Sequence, residues 1–322
     1  MNLSVRFFKC LFLGILSSLI VIPVVLSICF CISASRAREQ VDRLQVQLRV
    51  AQEALTQASY AEWQLPTTPF PVEVLPTTNI SAGAPQTLEQ TTPLPYQTRY
   101  PDLYCDDFAP ADWKLESNTI YLTFDGGVSN QTQSILDTLD EHGVKATFFV
   151  IAKGFAQAPA MLNEIVRRGH TLGIQSYTDH YSEIYESVES YLADFNAAYT
   201  LIEEVVGVKP SIFRFPGGSI NSYNIGIYPQ LIAEMTRRGF TYYDWDVVNN
   251  DTAPKATAES VKQAVLSGVR GKTRAIVLMH DASSKPSTAQ SLSGVIGALE
   301  TQGYSFAALT PRVEPIRFNY IK

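Results

Sequence analysis

The stretch Tyr121 to Gly127, "YLTFDGG", decides the fold. An apolar strand runs into one carboxylate, Asp125, and then into a pair of glycines. This is the pattern of the first strand and loop of a catalytic β/α barrel, in which residues at the C-terminal strand ends converge on one face. The residue beside Asp125 is Gly126, where a second carboxylate would be most useful.

Working outward, short apolar runs alternate with amphipathic segments over residues 115–312. "TIYLTF" precedes a predicted helix at 131–142, "KATFFVI" one at 159–168, and "TLGIQS" the long helix at 188–206. "SIFRF" leads to a helix at 228–238, "TYYDWDV" to 258–269 and "AIVLMHD" to 289–302, and "YSFAAL" comes last. Gly143, Gly169, Gly239 and Gly303 follow predicted helix ends, as expected for residues that leave a helix in the left-handed conformation. Strand and helix repeat about seven times, so the expected fold is α/β, a distorted parallel (β/α)7 barrel. An open doubly wound sheet is the alternative. No glycine-rich nucleotide loop follows the first strand, which argues against a nucleotide-binding variant.

The N-terminal part has a different texture. After a short tail, residues 1–9, the run from Cys10 to Ile32 carries no charge and is longer than the apolar core of a cleaved signal. It is expected to be a transmembrane anchor. Residues 36–63 hold Ala37, Val41, Leu44, Leu48, Ala51, Leu55 and Ala58 at alternating spacings of four and three, a helical stalk or short coiled coil that could make a dimer. Residues 64–98 are rich in proline and threonine and read as an extended linker, about 3 Å per residue. Arg6 and Lys9 precede the apolar run and Arg36, Arg38, Arg43 and Arg49 follow it. By that count alone, the bulk of the chain would be cytoplasmic.

Composition narrows the partners. The net charge of −6 and the absence of a basic block argue against nucleic acid. Three of the four cysteines lie in the apolar run and the fourth is Cys105, so no intrachain disulfide framework is expected. There is no Cys-x-x-Cys pair for a structural zinc.

At the strand ends stand Asp125, then Gln175 with Asp179 and His180, then Arg214, the segment 244–251, and His280. Taken singly, Asp125 could cap a helix and His280 could be a core histidine. Carboxylates, an arginine and a histidine on separate strand ends of one barrel point together to a present or former catalytic site.

These residues resemble the polysaccharide deacetylases, the NodB-homology domain of carbohydrate esterase family 4. The likeness runs from about Ser117 to Thr310 and touches five motifs in order. "TFDGG" is similar to T-F-D-D-G, and "GHTLGIQSYTDHY" to G-H-x-I-G-N-H-[ST]-x-[ST]-H. "FRFPGG" is similar to the R-x-P loop, "WDVVNND" to W-x-x-D-S-x-D-W, and "LMH" to L-x-H. The resemblance implies hydrolysis of a sugar N-acetyl group assisted by zinc or another divalent metal. It implies Asp125 as general base, Arg214 keeping Asp125 ionised, His280 as general acid and Asp251 tuning His280. Leu278 would wall the pocket for the acetyl methyl, and Gly217 stands where many members have tyrosine. Tyr177, Tyr181, Tyr242, Tyr243 and Trp245 are candidates for stacking on sugar rings.

The resemblance also locates the departures. The family's metal-ligand positions correspond to Gly126, Gln175 and Asp179, of which only Asp179 is a competent donor. His180, one residue along, is the other weak metal candidate. Thr252 replaces a family tryptophan. Four readings follow: a pseudoenzyme that binds glycan, an active deacetylase with a rearranged metal site, slow metal-free hydrolysis, or a purely structural role. The first is preferred, since all three ligand positions differ. The expected partner is an N-acetylated glycan, peptidoglycan or an N-acetylglucosamine polymer. Family members with anchors work on envelope glycans, which implies an extracytoplasmic barrel at the cell membrane.

Overall fold

The structure, a computed structural model, describes residues 93–105, 113, 116–157 and 159–318. The expected anchor at 10–32, the stalk at 36–63 and the linker up to residue 92 lie outside the described residues. Among the described residues no helix is long and apolar enough to cross a membrane.

The strands, all parallel, are β1 (Thr119–Gly126), β2 (Thr147–Ile151), β3 (Thr171–Ser176), β4 (Ile212–Phe213), β5 (Thr241–Tyr242), β6 (Val247–Val248), β7 (Arg274–Asp281) and β8 (Ser305–Phe306). The helices are α1 (Thr132–Glu141), α2 (Pro159–Arg167), α3 (Tyr181–Ile184), α4 (Val188–Val206), α5 (Tyr228–Arg237), α6 (Ala258–Val269) and α7 (Pro286–Thr301). The sheet order is β5-β4-β3-β2-β1-β7-β6, with β8 beside β1. It is a curled half-barrel with β5 and β6 at its two ends. The predicted strand "TYYDWDV" is therefore two strands, β5 on β4 and β6 on β7. They separate because Asp244 leaves the ladder: its N–H donates to the Ile316 carbonyl at 2.9 Å. The final helix starts earlier than the apolar pattern suggested, with Pro286 in its first turn.

Strand alternation sorts the side chains. On β1, Ile120, Leu122 and Phe124 face the helices, and on β7 Ala275, Val277 and Met279 do the same. The alternate residues Tyr121 and Ile276 join Phe149, Ile212, Tyr243, Leu309 and Val313 in a second cluster inside the barrel. Asp125 and His280 continue the inner rows of β1 and β7, each an even number of residues along. They are also register partners across the two strands. One glycine is needed here: a Cβ on Gly173 would lie 2.6 Å from the Phe149 ring, which fills the barrel interior.

Residues 93–105, ahead of the boundary expected at 115, pack onto the barrel. Pro95–Thr98 form a 3-10 turn rather than extended linker, and Leu103 and Cys105 are in the core. Fully buried Arg238 holds them, donating to the carbonyls of Tyr96, Arg99, Tyr100 and Leu103 while pairing with Glu234 at 2.7 Å.

Candidate active site

Arg214 follows β4 onto the inner face and is fully buried. Its Nη1 donates to Asp125 Oδ1 at 2.6 Å and to Thr123 Oγ1 at 2.7 Å, and its Nε to the Tyr243 carbonyl at 2.9 Å. The guanidinium lies 4.3 Å above the Phe149 ring and 5.4 Å from that of Trp245. A buried cation is tolerable here because its donors are used and an anion is paired with it. Burial nevertheless pushes Asp125 above the usual carboxylate range, with the Arg214 and His280 charges opposing. The arginine thus offsets part of the desolvation, acting in the sense that favours the ionised form of Asp125. A carboxylate raised in this way is better matched to accepting a proton near neutrality.

On the other side of the strand pair, His280 Nδ1 meets Asp251 Oδ1 at 2.8 Å. The second oxygen of Asp251 accepts from the His280 backbone N–H, Thr288 Oγ1 and Asn249 Nδ2 at 2.9, 2.7 and 3.0 Å. Burial works against the Asp251 charge, but these donors outweigh it and hold its pKa below the ordinary range. Burial likewise works against imidazolium at His280, yet Asp251 and then Asp125 raise it above the ordinary histidine value. The arrangement fixes the ring and favours a proton on it, which is the role of a general acid.

The metal-ligand positions are occupied differently. The Gly126 N–H donates to Gln175 Oε1 at 2.8 Å, and Gln175 Nε2 reaches Asp179 Oδ1 at 3.4 Å. Gly126 has φ +123°, a conformation that essentially only glycine adopts, and a Cβ there would lie 2.8 Å from the Asp281 carbonyl oxygen. Asp179 is in the left-handed region at φ +61°, and burial, then Asp125 and Asp194, push its carboxyl up to about 6. His180 caps α3 and turns outward, its Nδ1 3.4 Å from Glu183 with the side chain 55% exposed. It does not join Asp179. Among the described residues no three histidine, cysteine, aspartate or glutamate side chains are placed to hold a metal ion. The residues do not fit the family's metal: one position has no side chain and no room for one, and the second is an amide already engaged.

The proposed pocket residues are spread around this centre. Leu278 is buried opposite Thr123 in the β1–β7 register. Trp245 is partly buried and meets Phe318 edge-on at 4.9 Å. Gly217 has its Cβ position filled by the Tyr181 ring, at 2.8 Å. Tyr242 and Tyr243 are buried in the barrel wall and cannot stack on a ligand, whereas Tyr177 and Tyr181 are partly exposed.

Several supporting residues were not legible beforehand. Asp194, on α4, accepts four hydrogen bonds from Ser176, Tyr177 and Thr178 and so shapes the loop carrying Asp179. Thr288 and Phe318 reach the site from α7 and the C-terminal segment.

The family model for "Polysaccharide deacetylase" matches residues 113–235. A peptidoglycan-N-acetylglucosamine deacetylase of Bacillus cereus is 27% identical over 236 residues, 71% of this chain and 84% of its own. The catalytic domain of peptidoglycan N-acetylglucosamine deacetylase from Eubacterium rectale superposes with a TM-score of 0.62 at 37% identity, covering 66% of this chain and 98% of that one. A mutant CE4-family pseudoenzyme with restored enzymatic activity matches with a TM-score of 0.52 at 25% identity, over 63% of this chain and 70% of its own. With the ordered motifs on a curled parallel barrel and the Asp125–Arg214 and Asp251–His280 pairs in place, this chain belongs to the polysaccharide deacetylase family.

Proposed function

We propose that this protein is a membrane-anchored, deacetylase-like pseudoenzyme that binds an N-acetylated glycan of the cell envelope and hydrolyses it little or not at all. The observation that carries this is the Gly126–Gln175–Asp179 chain, which joins the three metal-ligand positions to one another. Without a Lewis acid, the retained Asp125 and His280 can move protons but cannot polarise the acetyl carbonyl. General acid–base catalysis supplies about 10²–10⁴-fold, against about 10⁶-fold or more for enzymes as a class. Relatives named as peptidoglycan N-acetylglucosamine deacetylases support the choice of glycan. A structural neighbour described as a CE4 family pseudoenzyme, with activity restored in the mutant that matches, supports this reading. The uncharged run 10–32 and the linker after it support a tethered barrel outside the membrane.

The test is made on the full-length protein incubated with zinc and freed of excess. The expected outcome is no stoichiometric zinc, measurable binding of N-acetylglucosamine oligomers, and no release of free amine. One equivalent of zinc lost on Asp179→Ala, with amine release, would establish the rearranged active site instead. A reporter fused after Lys322, active only when exported, tests the orientation.

A further inference from the structure

We propose that Tyr223, backed by Tyr181, is a shelf for a second sugar ring of the glycan, next to the ring that reaches Asp125. The inference rests on the glycan-binding reading above and adds where the chain runs and which residue sets its length preference.

The loop after β4 is built rather than loose. Asn221 Nδ2 donates to the carbonyls of Pro216 and Gly218 at 3.0 and 3.1 Å, and the Asn221 N–H donates to Asn224 Oδ1 at 2.8 Å. Asn224 is fully buried and donates to the Ser219 carbonyl at 3.2 Å. The Tyr185 hydroxyl donates to the Pro216 carbonyl at 2.8 Å, and the Tyr223 N–H to Asn221 Oδ1 at 2.9 Å. Yet this fixed loop presents Tyr223 at 55% exposure and Ile225 at 60%, two of the five exposed large apolar side chains among the described residues. A loop fixed on a rigid scaffold is where binding residues are commonly carried, and this one holds an aromatic ring in water.

The shelf is continuous with the catalytic residues. Tyr181 follows Asp179 by two positions, and its ring occupies the place that a side chain on Gly217 would fill. Asp179 is itself joined through Gln175 to Gly126, the residue after Asp125, and the Tyr181 ring meets that of Tyr223 at 5.5 Å and 84°. Gly126, Gln175, Asp179, Tyr181 and Tyr223 therefore link the strand end that carries Asp125 to the surface. A neutral pyranose suits such a path: its C–H face packs on an aromatic ring while its hydroxyls stay wet, and a tyrosine offers both an apolar body and a polar tip. No charged side chain lies on the loop from Phe215 to Ile227 to favour an ionic ligand.

The experiment is calorimetric titration of the full-length protein with N-acetylglucosamine and its di- to pentasaccharides. Affinity of the native protein is expected to rise with length. Tyr223→Ala should weaken the di- to pentasaccharides about five- to tenfold while leaving the monosaccharide unchanged, and Tyr223→Phe should behave as native. An unchanged length dependence in Tyr223→Ala overturns the shelf, as does equal weakening of the monosaccharide and the oligosaccharides. Native affinity that does not rise with length overturns it too, leaving glycan binding intact. If no oligomer binds the native protein, the glycan reading fails and the shelf with it.

Discussion

The Gly126 N–H donates to the side-chain carbonyl of Gln175 at 2.8 Å, joining the ends of two strands that are not neighbours in the sheet. The strand end is thereby closed by the protein's own groups. Gly126 is held at φ +123° with the Asp281 carbonyl against its Cβ position. Gly126→Asp should therefore cost stability, roughly 1–3 kcal/mol by the usual scale of backbone strain. Urea denaturation measures this. The triple variant Gly126→Asp, Gln175→His, Asp179→His should still retain no stoichiometric zinc; one bound equivalent would show that the strand end relaxes to accept ligands.

Arg214 should be the most costly of the retained residues to lose. Arg214→Met leaves Asp125 buried and unpaired, at about 3–5 kcal/mol. Asp125→Asn should cost less, because Arg214 keeps the Tyr243 and Thr123 acceptors. Equilibrium unfolding of both variants ranks them, and the reverse order would contradict the assignment of the arginine as the anchored partner.

The His280–Asp251 pair gives a pH signature. His280 is raised above 6.5, so its contribution to stability is present below that value and is lost as pH rises through the folded pKa. Asp251 is lowered below 3.8, so its contribution is present above that value and is lost as pH falls through the folded pKa. The pair is therefore fully formed between about pH 4 and 6.5. Proton NMR should find the His280 titration above 6.5 in the native protein. In Asp251→Asn, where burial is no longer outweighed, it should fall below 6.5.

His170 acts in the opposite sense. It is buried, its Nδ1 accepts the Ala146 N–H at 3.2 Å, and burial pulls its pKa down to about 4. Stability from the neutral ring is present above 6.5 and is lost as pH falls towards 4, by roughly 3 kcal/mol in all. Denaturation midpoints between pH 7 and 4 should fall steeply in the native protein and less steeply in His170→Leu.

The C-terminal segment should stiffen the site. Asp244 accepts from the Ser219 and Phe318 N–H groups, both at 2.8 Å, while the Phe318 ring covers Gly218 and meets Trp245. Truncation after Val313 should speed amide exchange around Ser219 and weaken oligomer binding, with the β1–β7 core amides still protected. Unchanged exchange at Ser219 would show that the segment only covers the seam.

Most of the helices and the four long strands could be read from the sequence, because their apolar periods are long and glycines mark several ends. Predicted α4 and α6 agree with the structure to the residue. Strands β4, β5, β6 and β8 are only two residues each, too short for alternation to bound them. The splitting of "TYYDWDV" could not be read either, since it depends on Asp244 bonding to residues more than seventy positions away.

By itself the sequence determined the parallel β/α barrel, its family, and the inner face on which Asp125, Arg214 and His280 meet. Periodicity and motif order are local properties, written along the chain. It also showed which metal-ligand residue types had been replaced. Only the tertiary structure decided what replaced them: that Gly126 is closed by Asp281, that Gln175 is engaged, that His180 turns to solvent, and that Tyr223 is held exposed against Tyr181. Those outcomes depend on backbone angles and on contacts between distant segments, which no residue specifies alone.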